Sequence, residues 1–140
     1  MLGYVCKYTP MELFEAMDTE ITRLEPSVTD FNHADTLMHA NICSYTKAVL
    51  EDVMEHDYEG VILTTCCDSI RRLYDALKSQ FPDKFFFLLD IPRKFNDFAV
   101  TLYERQLKQM LTEYEAFSGK TLDLKRFVSV SYTHLTLPTN

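Results

Sequence analysis

The chain has 140 residues, 46% of them hydrophobic and 25% charged, with a formal net charge of -7 and a pI near 5.0. That is enough chain for one soluble domain with its own core, and the acidity excludes non-specific attraction to nucleic acid or anionic lipid, whose phosphates the long-range field repels. No run approaches the ~20 apolar residues of a membrane span, and the start MLGYVCKYTP lacks the features of a signal peptide, so the expected compartment is a reducing cytoplasm and the four cysteines are expected to be thiols or ligands, not bridges.

Leu2 to Tyr8 reads as a first strand, and Thr9-Pro10-Met11-Glu12 as a helix start, with Thr9 as cap, Pro10 in the first turn and Glu12 completing a capping box. Leu13, Phe14 and Met17 give that helix its apolar face. Ile21 to Leu24 is a weaker second strand, ended by Glu25-Pro26-Ser27, and a helical turn is expected around Ala34 to His39 within an otherwise polar, irregular stretch.

From Ser44 the pattern turns helical, with Tyr45, Val49 and Val53 at helical spacing. Val61 to Thr65 is a continuous β-rich apolar run, as in a strand buried on both faces of a parallel sheet. In the next helix Ile70, Leu73, Tyr74 and Leu77 fall at i, i+3, i+4 and i+7, while Arg71, Arg72 and Lys78 take the solvated side. Lys84 to Asp90 is a fourth strand. A long helix follows, with Phe98, Leu102, Leu107, Met110, Leu111, Tyr114 and Phe117 on one stripe and a stop at Ser118-Gly119. Strands alternating with helices imply right-handed βαβ units and an α/β fold with a parallel sheet.

All charged residues lie at or before Arg126. With a quarter of positions charged, a charge-free run of that length arises by chance about 2% of the time, and Ser131 to Asn140 resembles the translated read-through of a sequencing adaptor. The expected organisation is therefore an α/β domain over 1–128 and a non-native, disordered tail over 129–140.

In a parallel sheet with helical crossovers, the strand carboxyl ends and the helix N-termini that follow them share one edge, where such folds bind ligands. The cysteines track that edge. Cys6 lies near the end of the first strand, Cys43 directly precedes a helix, and Cys66-Cys67 sits between the third strand and its helix. A helix N-terminus favours the thiolate, the form that binds metal, and both Cys43 and Cys67 have that setting. Cys6 and Cys66 read instead as packing residues within or continuing a strand. There is no C-x-x-C, no finger spacing and no ferredoxin-like cysteine run, so two ligands here are too few for a closed site and must be completed from elsewhere.

Neither G-x-x-x-x-G-K-[ST] nor G-x-G-x-x-G occurs among only three glycines, which removes support for phosphate cradling. His33, His39 and His56 lie in polar surroundings and read as solvated surface groups, and no serine sits in a nucleophile elbow.

The segments Gly3 to Pro10, Cys43-Ser44-Tyr45-Thr46-Lys47, Cys66-Cys67-Asp68-Ser69-Ile70-Arg71-Arg72-Leu73-Tyr74 and Leu89-Asp90-Ile91-Pro92-Arg93-Lys94 resemble, in order and spacing, signatures of the 2-hydroxyacyl-CoA dehydratase family, which also contains the benzoyl-CoA reductase subunits. The resemblance runs from Gly3 to about Arg126. It implies a flavodoxin-like (Rossmann-like) parallel sheet flanked by helices, here the truncated first domain of a two-domain subunit. It implies a [4Fe-4S] cluster held by Cys43 and Cys67, with Cys66 as the alternative to Cys67, and a third cysteine from the missing second domain. It further implies a second dehydratase subunit and an ATP-dependent activator iron–sulfur protein as partners. The activator would supply a low-potential electron that reaches an acyl-CoA thioester and drives loss of the 2-hydroxyl as water through a ketyl radical. A fragment of this length is expected to be inactive on its own.

Two alternatives stand beside that reading. One is a subunit with a double-cubane cluster that reduces small molecules. The other is a non-enzymatic α/β interaction domain whose cysteines only pack.

Overall fold

The computed structural model describes residues 1–136. Four strands, β1 (Leu2–Tyr4), β2 (Ile21–Arg23), β3 (Gly60–Thr64) and β4 (Phe85–Leu89), form one sheet in the order β2-β1-β3-β4, every pair parallel. Six helices accompany them: α1 (Met11–Ala16), α2 (Asn32–Leu37), α3 (Ser44–Glu55), α4 (Asp68–Gln80), α5 (Asp97–Ser118) and α6 (Leu124–Thr136). The class is the expected α/β one. The strand order is that of the first four strands of a flavodoxin-like sheet, whose ligand crevice opens between the carboxyl ends of β1 and β3.

Alternation along the strands divides the core in two. Val61 and Leu63 of β3 and Phe86 of β4 pack with Val49, Leu50 and Val53 of α3 and with Ile70, Leu73 and Leu77 of α4. Ile62, Phe85, Phe87 and Leu89 point the other way, onto Leu13 and Phe14 of α1 and Met110 and Tyr114 of α5. All five residues of β3 are buried, which accounts for its unbroken apolar run. Gly60 is required by a close approach: a Cβ there would lie 1.9 Å from the Phe85 carbonyl oxygen. Gly119 ends α5 in the left-handed region, at φ 72°, and its amide donates to the Glu115 carbonyl, as the Ser118-Gly119 stop leads one to expect.

Several expectations need correction. The first strand ends at Tyr4, not Tyr8, because the chain turns at Cys6, whose carbonyl accepts from the Thr9 amide at 2.9 Å. That turn carries the Thr9 side chain inward, where its hydroxyl is buried with no partner, so Thr9 does not cap α1 and no capping box forms. The stripe on α5 is buried only toward its C-terminal half: Met110 and Tyr114 are fully covered, whereas Phe98 is 71% exposed. A 22-residue helix is about 33 Å long and the five-residue β4 about 17 Å, so the start of α5 overhangs the sheet. Tyr45 is likewise exposed, and the buried face of α3 carries Thr46 and Glu51 instead.

The tail expected to be disordered over 129–140 is helical as far as Thr136, and residues 137–140 lie outside the described residues. No glycine or proline interrupts the chain from Leu124 to Thr136. Phe127 packs partly onto the second core, Arg126 bonds Asp18 at 2.8 Å, and His134 bonds Glu15 at 2.6 Å.

Candidate functional site

Cys43 and Cys67 occupy equivalent places: each is the residue before the first turn of its helix, with extended backbone (φ -64°, ψ 150° and φ -156°, ψ 167°). Both thiols are exposed and unbridged. The helices they head, α3 and α4, pack side by side over the same face of the sheet. Their N-termini meet at the Cys43 sulfur. The Thr46 hydroxyl, one turn into α3, lies 3.1 Å from that sulfur, and Ser69, from the first turn of α4, stands close enough to influence it. Burial tends to raise the Cys43 pKa, but the Thr46 hydroxyl and amide, with lesser help from Ser69 and the Tyr45 amide, outweigh it and hold the thiol below its ordinary value. With the sulfur ionised, the Thr46 hydroxyl is the donor.

The remaining cysteines stand along the same strand ends. Cys6 is half-buried just beyond β1. Cys66 departs from expectation: β3 ends at Thr64, so Cys66 does not continue the strand but is exposed in the turn beside Cys67. That turn is tied down from below. The Thr65 amide donates to the Leu89 carbonyl, the Thr65 hydroxyl donates to Asp90 Oδ1 at 2.7 Å, and the Ile91 amide donates back to the Thr65 hydroxyl at 3.2 Å. The ends of β3 and β4 are thereby joined where the cysteine pair leaves the sheet.

Two tyrosines look onto this edge. Burial first, then the charges of Cys66, Cys6 and Glu25, push the Tyr45 phenol up in pKa, while Arg23 opposes them. Tyr103 is pushed up by burial and by Cys6 and Glu12, and its hydroxyl donates to the Tyr8 carbonyl at 3.1 Å. A groove of about 670 Å3 opens alongside, between residues 37–42 and the exposed side of α4, with Ser69, Arg72 and Asp75 among its polar lining. Arg72 is exposed and near Asp75, in keeping with a solvated helix face.

Three features were not legible from the sequence pattern. Thr46 is the hydrogen-bond partner of Cys43, for which the i+3 spacing from a cap position was the available signal, and nothing pointed to the nearness of Ser69. Glu51 is buried, accepting from the Ala34 amide and from His33 Nδ1, each at 2.7 Å. His33 is therefore a structural partner and not an idle surface group. Among the described residues no group of three or more His, Cys, Asp or Glu side chains could hold a metal ion, so these thiols do not form a closed metal site by themselves. Two exposed sulfurs at adjacent helix N-termini have the chemistry to bind a thiophilic metal as thiolates.

A family model described as 2-hydroxyglutaryl-CoA dehydratase, D-component, matches residues 6–131. No curated protein matches the chain. Among the described residues no helix is long and apolar enough to cross a membrane.

Proposed function

Given that the chain belongs to the 2-hydroxyglutaryl-CoA dehydratase D-component family, we propose that it is an iron–sulfur component of a 2-hydroxyacyl-CoA dehydratase-type enzyme, with Cys43 and Cys67 as its contribution to the ligands of a [4Fe-4S] cluster. The observation that carries this reading is the meeting of the α3 and α4 N-termini at the Cys43 sulfur, with Cys67 heading the second of the two helices. Such a cluster, when bound, supplies single-electron transfer at low potential, here toward the thioester of an acyl-CoA.

The residues of this chain have definable tasks in that setting. The N-terminus of α3 and the Thr46 hydroxyl favour the thiolate form of Cys43 over the thiol. The Thr65–Asp90–Ile91 bonds hold the Cys66-Cys67 turn in place against β4. The groove between residues 37–42 and α4 leads from solvent toward Ser69 and offers a ligand a route to this edge. A D-component implies a partner subunit, and the further partners in this reading are an ATP-dependent activator iron–sulfur protein and the acyl-CoA substrate. Two thiols from this chain leave the remaining cluster ligand to come from outside the described residues.

The test is anaerobic reconstitution of the chain together with its partner subunit, using ferrous iron and sulfide, with iron and sulfide counted per chain. Cys43→Ala and Cys67→Ala are each expected to abolish the bound iron, and Cys66→Ala to leave it; the reverse result for Cys66 and Cys67 would exchange their roles. Iron content unaffected by any of the three substitutions would sink the reading. A count of about eight irons in place of about four would favour the double-cubane alternative.

A further inference from the structure

Thr46 is completely buried, yet its side chain ends in a hydroxyl, and a hydroxyl in that position needs a partner. The partner is the sulfur of Cys43, 3.1 Å away. Among the described residues this is the one side-chain hydrogen bond to a cysteine sulfur, and none forms at Cys66 or Cys67. A hydrogen bond to a thiolate withdraws electron density from the sulfur, fixes the direction of its remaining lone pairs and weakens it as a donor to a metal, which is one of the levers by which a protein tunes a thiolate-bound centre.

We infer that Thr46 is a positioning and tuning residue for the Cys43 sulfur, orienting it toward a bound metal and reducing its donor strength relative to Cys67. The inference rests on the proposed role of Cys43 as a metal ligand. It separates this chain's two ligands into unlike halves, one hydrogen-bonded and one not. A packing role for Thr46 makes a different prediction, because valine has the same shape and lacks only the hydroxyl.

Cadmium(II) is a suitable probe, since it binds thiolates without needing a complete cluster and shows a sulfur-to-metal charge-transfer absorption. The difference spectrum between the cadmium-loaded full chain and its Cys43→Ala variant isolates the band due to Cys43. Thr46→Val is expected to move that band to longer wavelength, because a sulfur relieved of its donor is more easily oxidised, and Thr46→Ser restores the original position. A band that stays in place in a folded Thr46→Val variant overturns the inference. Should Thr46→Val fail to fold, as judged by circular dichroism, Thr46→Ala decides alone: a red shift supports the inference and an unmoved band overturns it. Because cadmium reports on the sulfur directly, this outcome is read independently of the iron count that tests the cluster.

Discussion

Glu51 shows how a single side chain arranges the approach to the site. A carboxylate with 2% of its residue exposed is costly unless its oxygens are satisfied, and here one oxygen takes the Ala34 amide and the other takes His33. Together with Lys47, which bonds Asp35 at 2.7 Å, it fastens α2 to α3 just before the chain reaches Cys43. Burial pushes its pKa up, but the Ala34 and His33 hydrogen bonds prevail and leave it below the ordinary 4.5. A folded pKa below the unfolded one means that the stabilisation is fully present above about pH 4.5 and is lost as pH falls through the folded value. Glu51→Ala is expected to cost about 2 kcal/mol at neutral pH, since it strands the Ala34 amide, and to flatten the acid limb of the stability curve. Urea titrations at several pH values would check both; an unchanged acid limb would contradict the assignment. None of this was visible in the periodicity of α3, because a hydrophobic stripe counts Glu51 as polar and places it outside.

The elements depend on backbone approach as much as on apolar pattern. At Gly60 the first residue of β3 passes so close to Phe85 that no side chain fits, and the obstacle is a backbone carbonyl, which cannot swing aside as a flexible side chain would. Gly60→Ala is expected to destabilise the protein by about 3 kcal/mol, at the upper end of the usual cost of overpacking, and to lower the thermal midpoint accordingly. A variant melting within a degree or two of the parent would show that β3 and β4 can separate at that end. The sequence pattern placed seven apolar positions of α5 on one stripe; Met110 and Tyr114 of it are buried and Phe98 is not, because periodicity reports a face and not the length of sheet available to cover it.

At the scale of the whole molecule, protection is expected to follow depth in the sheet. β3 is paired on both sides and entirely buried, whereas α6 has no fully buried side chain. In native-state hydrogen exchange the β3 amides should exchange only through global unfolding and those of α6 several orders of magnitude faster, through local opening. Equal protection in the two would mean that α6 belongs to the cooperative core.

The sequence by itself determined the α/β class, the four strands, the helices beneath each apolar stripe and the cap positions of Cys43 and Cys67, because each of these is written in residues a few positions apart. Only the tertiary structure decided that the two capped helices lie side by side with Ser69 against Cys43, that Cys66 is exposed beside Cys67, that Glu51 is buried, and that Tyr114 is held by Thr19, 95 residues away. Those facts depend on which elements become neighbours once the sheet is assembled. Contacts between elements distant in sequence are selected by packing and desolvation of the whole, and no local pattern carries that information.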